Sequence, residues 1–376
     1  MKSAWGGFFL SLFFLSTFGS ANAGMLSLGA QYDGWSAVNT ALPVTGAEFT
    51  APFSARFKLN DAFGLFGQTE FAATNDTGTS DGSTPSSYSP ADLSDSVLGT
   101  DIHFENFGLS AMLNLSLNLP TGNQDWETKQ MISSIPTEFI DSRYRGRGFG
   151  FNAMYGVSIP AGKTSQLGVA LGYLFSGSYN TTEIPDLDLG DSIFLGINRV
   201  EVFAGQKTSS IRLSTLFFLP TTENGTQSIE EGLNLNASYS FNDPSGFSYE
   251  VGGQFFTPAK RAAALGGSLE TESHNSLGQR LYAAPSLAFG QWTISGLVKY
   301  VTPNDYAESS ALYDGGGWLL GLTPTWRAPL NAVSDLKFTA GYDFVIARNA
   351  GSVSGGGKAD IDYNYWQFGT NYEIKL

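Results

Sequence analysis

The chain holds two histidines, His103 and His274, and no cysteine. Nucleophilic hydrolysis needs an imidazole base beside an activated hydroxyl, held in place by a carboxylate. Asp101 and His103 stand two apart, so on an extended strand they share one face while Ser96 takes the other, and no triad forms locally. His274, with Glu272 and Ser273, falls in a connecting stretch. Two histidines without cysteine lack the spacing of a zinc site, so no metal is expected. Gly315-Gly316-Gly317 runs into Trp318-Leu319-Leu320, a strand pattern rather than a helix, and so does not read as a phosphate loop. The chain reads as a non-enzyme without a cofactor. A lipid hydrolase that depends on His103 is the enzymatic alternative.

The chemistry left is electrostatic. Glu70, Asp101, His103, Arg212, Glu250, Arg280, Lys299 and Asp343 all sit between the apolar residues of alternating stretches. If those stretches close into a ring, Glu70 and Asp101 lie on adjacent strands with His103 nearby. Arg280 and Lys299 then lie on adjacent strands roughly half the circumference away. Arg212 and Glu250 fall between them, and Asp343 lies further on. Opposed acidic and basic walls across a narrow aqueous gap create a transverse field, which low-dielectric walls focus and which favours polar solutes.

The elements that must position these charges show a period of two over about ten residues each. Leu109, Ala111, Leu113, Leu115, Leu117 and Leu119 fall on one face, and Ser110, Asn114, Ser116 and Asn118 on the other. Phe149 to Ile159, Leu233 to Phe241, Trp318 to Trp326 and Leu336 to Ile346 repeat the pattern. A helix would spread such residues round its whole surface. The segments number about sixteen, with 14 or 18 as alternatives. They span 24–35, 47–59, 62–73, 93–105, 107–119, 148–159, 166–177, 190–204, 208–219, 231–242, 247–256, 278–289, 291–301, 315–326, 335–346 and 361–376. The first is short, and the phase change near Asn198-Arg199 predicts a bulge or a displaced boundary.

The connections alternate in length. The short ones are Asn60-Asp61, Asn106, 160–163, 205–207, 242–246, Gly290 and 328–334; the long ones include 74–92, 120–147, 178–189, 257–277, 302–314 and 347–360. The fold class expected is all-β: a transmembrane antiparallel barrel with short periplasmic turns, long extracellular loops and both termini in the periplasm.

Composition agrees. Charged residues make up 14%, against roughly 25% in soluble domains. Aromatic residues reach 14%, with 45 glycines. No apolar stretch after the leader is long enough for a spanning helix. The net charge of −14 argues against nucleic acid, which is bound by basic patches. Part of that charge sits at 186–191 and reads as a solvated acidic surface. Lys2, the apolar run Phe8 to Phe18 and the small residues of Ala21-Asn22-Ala23 predict a secretory signal peptide over 1–23, cleaved after Ala23, with the barrel over 24–376.

Three resemblances refine this reading. The end of the chain, with Gln367, Gly369, Tyr372, Ile374 and Leu376, resembles the C-terminal assembly signal of bacterial outer-membrane barrels, although a terminal Phe is usual. Recognition by the barrel assembly machinery is implied. In segment count, loop order and loop length the chain resembles general diffusion porins, whose third outer loop folds into the pore. That likeness puts Asp125, Glu127, Glu138, Asp141, Arg143, Arg145 and Arg147, in the longest connection, at a constriction. It also implies a homotrimer among outer-membrane lipid and lipopolysaccharide. Leu93-Ser94-Asp95-Ser96 with Leu119-Pro120-Thr121-Gly122, echoed by Leu219-Pro220-Thr221-Thr222, is similar to outer-membrane proteins of aromatic-compound degradation pathways. The function expected is passive passage of small solutes across the outer membrane. The alternatives are a transporter of hydrophobic or aromatic compounds, the hydrolase above, or a barrel that holds a periplasmic partner.

Overall fold

The computed structural model describes residues 23–37, 45–78, 86–88, 91–122, 148–177, 191–219, 221–223, 227–229, 232–257, 264–265, 268–269, 278–303, 316–353 and 357–376. Sixteen wall strands follow one another along the chain. They are β1 (Ala23–Ala37), β2 (Thr45–Lys58), β3 (Phe63–Gly78), β4 (Ser96–Asn106), β5 (Leu109–Leu119), β6 (Gly150–Pro160), β7 (Ser165–Ser176) and β8 (Ser192–Val202). Then come β9 (Thr208–Phe218), β10 (Gly232–Asn242), β11 (Phe247–Thr257), β12 (Gly278–Phe289), β13 (Trp292–Val301), β14 (Gly317–Pro329), β15 (Ser334–Val353) and β16 (Gly357–Lys375). Each pairs antiparallel with the next. β1 pairs with β16 from Met25↔Lys375 to Ala37↔Tyr363, so the sheet closes on itself without an open edge. At the seam, Leu376 N–H donates to the Gly24 carbonyl at 2.8 Å and Gly24 N–H to the Leu376 carbonyl at 3.1 Å.

The period of two decides which way each side chain points. Leu171, Ile211, Leu281, Leu322 and Phe368 are 52–58% exposed, on the outer face of their strands. Their sequence neighbours point inward and are mostly small or polar. Large rings cluster at both ends of the outer face. Trp292, Trp326 and Phe338 form a run at the short-turn end, with centroids 6.4 and 5.6 Å apart. Tyr300 and Trp318, at 4.6 Å, sit at the loop end. An apolar band between two aromatic girdles is the outer surface a bilayer selects. Among the described residues the inner face carries a buried apolar cluster, Val301, Leu319, Val345 and Tyr363, towards the loop end of β13–β16.

The connections alternate as expected. Seven short turns, 59–62, 107–108, 161–164, 203–207, 243–246, 290–291 and 330–333, lie at one end, with Ala23 at the start of β1 and Leu376 after β16. The β4–β5 turn has two residues, Phe107 (φ 51°) and Gly108 (φ 76°), and a two-residue hairpin of this kind requires positive φ at both. Gly246 closes the β10–β11 turn at φ +104°, where a Cβ would come within 2.1 Å of the Ala288 carbonyl oxygen.

Three expectations need correction. β1 is not short but runs for 15 residues. β8 has no bulge near Asn198-Arg199: its register is continuous against both β7 and β9. The phase change arises because Arg199 and Glu201, ion-paired to each other, occupy outward positions in place of apolar residues. The stretches 74–92 and 347–360 are not single long loops: β3 runs on to Gly78 and pairs with 86–88 and 91–93, and β15 and β16 stay paired out to Val353↔Gly357, with a register shift between Ala347 and Gly351. Residues 1–22 of the expected leader, the constriction residues Asp125 to Arg147 and His274 lie outside the described residues.

Candidate pore wall

The pairing registers place all eight charged candidates on the inner face. Glu70 lies on β3, Asp101 and His103 on β4, Arg212 on β9, Glu250 on β11, Arg280 on β12, Lys299 on β13 and Asp343 on β15. They are not equivalent. Asp101 is buried and accepts from Arg56 Nη2 at 3.0 Å and from Asn114 Nδ2 at 2.7 Å. The Arg56 guanidinium also stands 5.7 Å over the Phe66 ring. Half of the expected acidic pair is therefore neutralised by a cation two strands away, and the acidic wall is weaker than the candidate residues alone suggest. Asp101 has both oxygens engaged, and Ser96 bonds Thr69 and Thr121. Among the described residues no hydrogen bond links either side chain to the His103 ring.

Sequence reasoning overlooked several inner-face charges. Arg56 was legible, since it falls between Phe53 and Phe57 in the β2 alternation. Lys337 Nζ meets Glu373 at 2.6 Å, and Arg327 pairs with Asp335, both towards the short-turn end. Asp33 accepts from Gln31 Nε2 and from the Tyr365 hydroxyl, each at 2.7 Å. These groups sit at the positions between the lipid-facing residues of their strands. Asp343 lies across from Gly321, where a Cβ would fall 2.2 Å from Asp343 Oδ1, so the missing side chain makes room for the carboxylate.

The opposite arc, β9 to β13, is a grid of small polar side chains. One inward row is Thr208, Asn242, Ser248, Ser286 and Ser295, and the next is Ser210, Ser240, Glu250 and Ala284. A third begins at Arg212 and ends at Tyr282 and Lys299. The Tyr282 hydroxyl donates to Glu250 Oε1 at 2.5 Å. Arg280 reaches Gln254 at 3.4 Å, and Gln254 donates to Asn234 at 3.1 Å. A cavity of about 540 Å³ opens over the first two rows and Arg212.

The two short motifs meet in space. Thr121 Oγ1 donates to the Ser94 carbonyl at 2.9 Å and lies 2.9 Å from Ser96 Oγ, while Gly122 N–H donates to Asp95 Oδ1 at 3.0 Å. Asn118 Nδ2 donates to Asp95 Oδ2 at 2.8 Å. Of the echo, Leu219 N–H donates to the Asp191 backbone carbonyl at 2.8 Å, and the Asp191 carboxylate takes Ser176 N–H at 3.1 Å and the Tyr173 hydroxyl. Both motifs fasten strand ends at the base of loops. At the C-terminus, Tyr372 and Ile374 face outward, Gly369 inward, and Leu376 joins the seam to β1.

A closed sixteen-strand antiparallel wall, apolar outside and polar within, defines the class of outer-membrane porin barrels. Solved porin structures agree in fold. Pseudomonas aeruginosa OpdQ aligns at TM-score 0.52 and 10% identity over 94% of this chain and 99% of its own. Acinetobacter baumannii OccAB1 aligns at 0.51 and 9% over 95% and 99%, and Pseudomonas aeruginosa OpdK, solved with vanillate, at 0.51 and 10% over 94% and 99%. No family model matches the chain, and no curated protein matches it.

Proposed function

We propose that this chain is an outer-membrane channel through which small polar solutes diffuse passively. One observation carries the reading: a closed wall of sixteen strands bears an apolar outer face between aromatic girdles and an inner face of hydroxyl, amide and charged groups. Walls of 16–18 strands enclose an aqueous bore rather than a packed core. The membrane solvates the outside, and water and solute solvate the inside. The short turns then lie in the periplasm with both termini, and the long connections face outward, among lipopolysaccharide. Gly369, Tyr372, Ile374 and Leu376 serve recognition by the assembly machinery, and likeness to general porins supports a homotrimer. Passage depends on size first and on the field of the inner-face charges second.

Liposome swelling tests this directly. Vesicles carrying the folded protein, diluted into isotonic solutions of a pentose, a hexose and a disaccharide, are expected to swell at rates that fall in that order. Swelling no faster than in protein-free vesicles would refute the channel.

A further inference from the structure

The polar grid of β9–β13 holds two charged groups with unused bonding capacity. Arg212 lines the cavity and makes no hydrogen bond or ion pair among the described residues. Its guanidinium offers five N–H donors in a planar fork that fits a carboxylate. Glu250 also lines the cavity. Tyr282 occupies its Oε1 at 2.5 Å, which orients the carboxylate and leaves Oε2 without a partner among the described residues. Arg212 and Glu250 do not pair with each other, although both border the same space. Around them stand hydroxyls from four strands, with Ser210 and Ser240 in contact at 2.7 Å and Ser286 and Ser295 at 3.1 Å. Such hydroxyls both donate and accept, and on adjacent strands they repeat at roughly 4.8 Å.

Resting on the channel reading above, we propose that this face is a binding site for small monocarboxylates that carry several hydroxyl groups, the class of the sugar acids. The guanidinium of Arg212 takes the carboxylate. The serine hydroxyls and the free oxygen of Glu250 take the solute hydroxyls. The negative charge of Glu250 disfavours a second carboxylate at the far end. The site therefore selects on three features together: one negative charge, hydroxyls along the chain, and no second acid.

Interruptions of single-channel current by added solute read this out. The probes are gluconate, hexanoate (the same charge without hydroxyls), glucose (hydroxyls without charge) and glucarate (a second carboxylate). Gluconate is expected to interrupt the current at a concentration about tenfold lower than any of the other three, because a charge-assisted bidentate contact and hydroxyl bonds act together. Arg212→Gln should remove most of that advantage over glucose, and Arg212→Lys should restore only part of it. Glu250→Gln should bring glucarate close to gluconate. Heat-modifiable gel mobility identifies folded barrels, and Ser240→Ala serves as a milder variant that weakens gluconate but not hexanoate. Equal interruption by hexanoate and gluconate, or an Arg212→Gln channel that responds to gluconate as the parent does, would overturn the site while leaving the channel intact. A folded protein that passes no current at all would instead overturn the channel reading on which the site rests.

Discussion

Single residues of this barrel carry charge or strain that a barrel wall alone does not require. Phe107 is 97% exposed and holds φ at 51°, a conformation costly for a bulky side chain. Asn tolerates that region far better, so Phe107→Asn should stabilise the folded barrel by about 1 kcal/mol. The midpoint of urea unfolding in detergent micelles measures this, and a lower midpoint would mean that contacts of the ring outweigh the backbone strain. Arg56 answers Asp101 across β2, β3 and β4 at 3.0 Å. Since the Arg56 side chain is 62% exposed, the pair is worth only about 0–1 kcal/mol to stability. Its larger effect is on the lumen field. Arg56→Ala leaves Asp101 uncompensated, so the reversal potential across a salt gradient should move towards cation preference. An unmoved reversal potential would show that Asp101 does not face the ion path.

At the scale of elements, the strands were the legible part of this chain and the side-chain partnerships were not. Period two found all sixteen strands, thirteen of them to within three residues at each end, because a lipid-facing stripe demands an apolar residue at every second position. It failed where that demand relaxes. Arg199 and Glu201 broke the stripe by pairing with each other, and the outer ends of β15 and β16 stay paired beyond Ala347, where the apolar alternation ends. The eight inner-face candidates were readable from the same parity, yet the Arg56–Asp101 pair depends on register across three strands, which no single segment encodes. The two short motifs proved to be fasteners. Removing Asp95 strands the Gly122 N–H and one of the two Asn118 amide hydrogens, the other being held by the Gly148 carbonyl at 2.6 Å, so Asp95→Ala should cost about 1–3 kcal/mol, seen as a lower unfolding midpoint. The short turns are tied together as well. Asp243 accepts from Ser245 N–H at 3.0 Å and meets Lys207 of the neighbouring turn at 2.9 Å. The Ser245 backbone bond first, and then Lys207, hold its carboxyl below the usual carboxylate range. The sign follows from linkage: a carboxylate with a depressed folded pKa stabilises the fold above its unfolded value, near ~3.9, and that contribution disappears as pH falls through the folded value. Asp243→Asn should therefore flatten the acid side of a plot of melting temperature against pH. An unchanged acid side would remove Asp243 from the account.

At the scale of the whole molecule, the barrel joins two solvents that exclude each other. The outer face has no polar backbone edge to expose, because β1 and β16 close the ring, and the inner face has too few apolar groups to collapse. The inner-face charges fall unevenly: β9–β13 carry Arg212, Arg280 and Lys299 against Glu250, whereas Glu70, Asp33 and Asp343 lie on the arc from β15 to β3, where Arg56 and Lys337 are ion-paired to Asp101 and Glu373. That asymmetry sets a field across the bore, although the Arg56–Asp101 pair reduces its acidic side. The most direct test of the central claim is a single-channel recording of the folded, purified protein in a planar bilayer. The account predicts discrete, stable current steps that scale with salt concentration. A folded protein that enters the bilayer and produces no steps would contradict it.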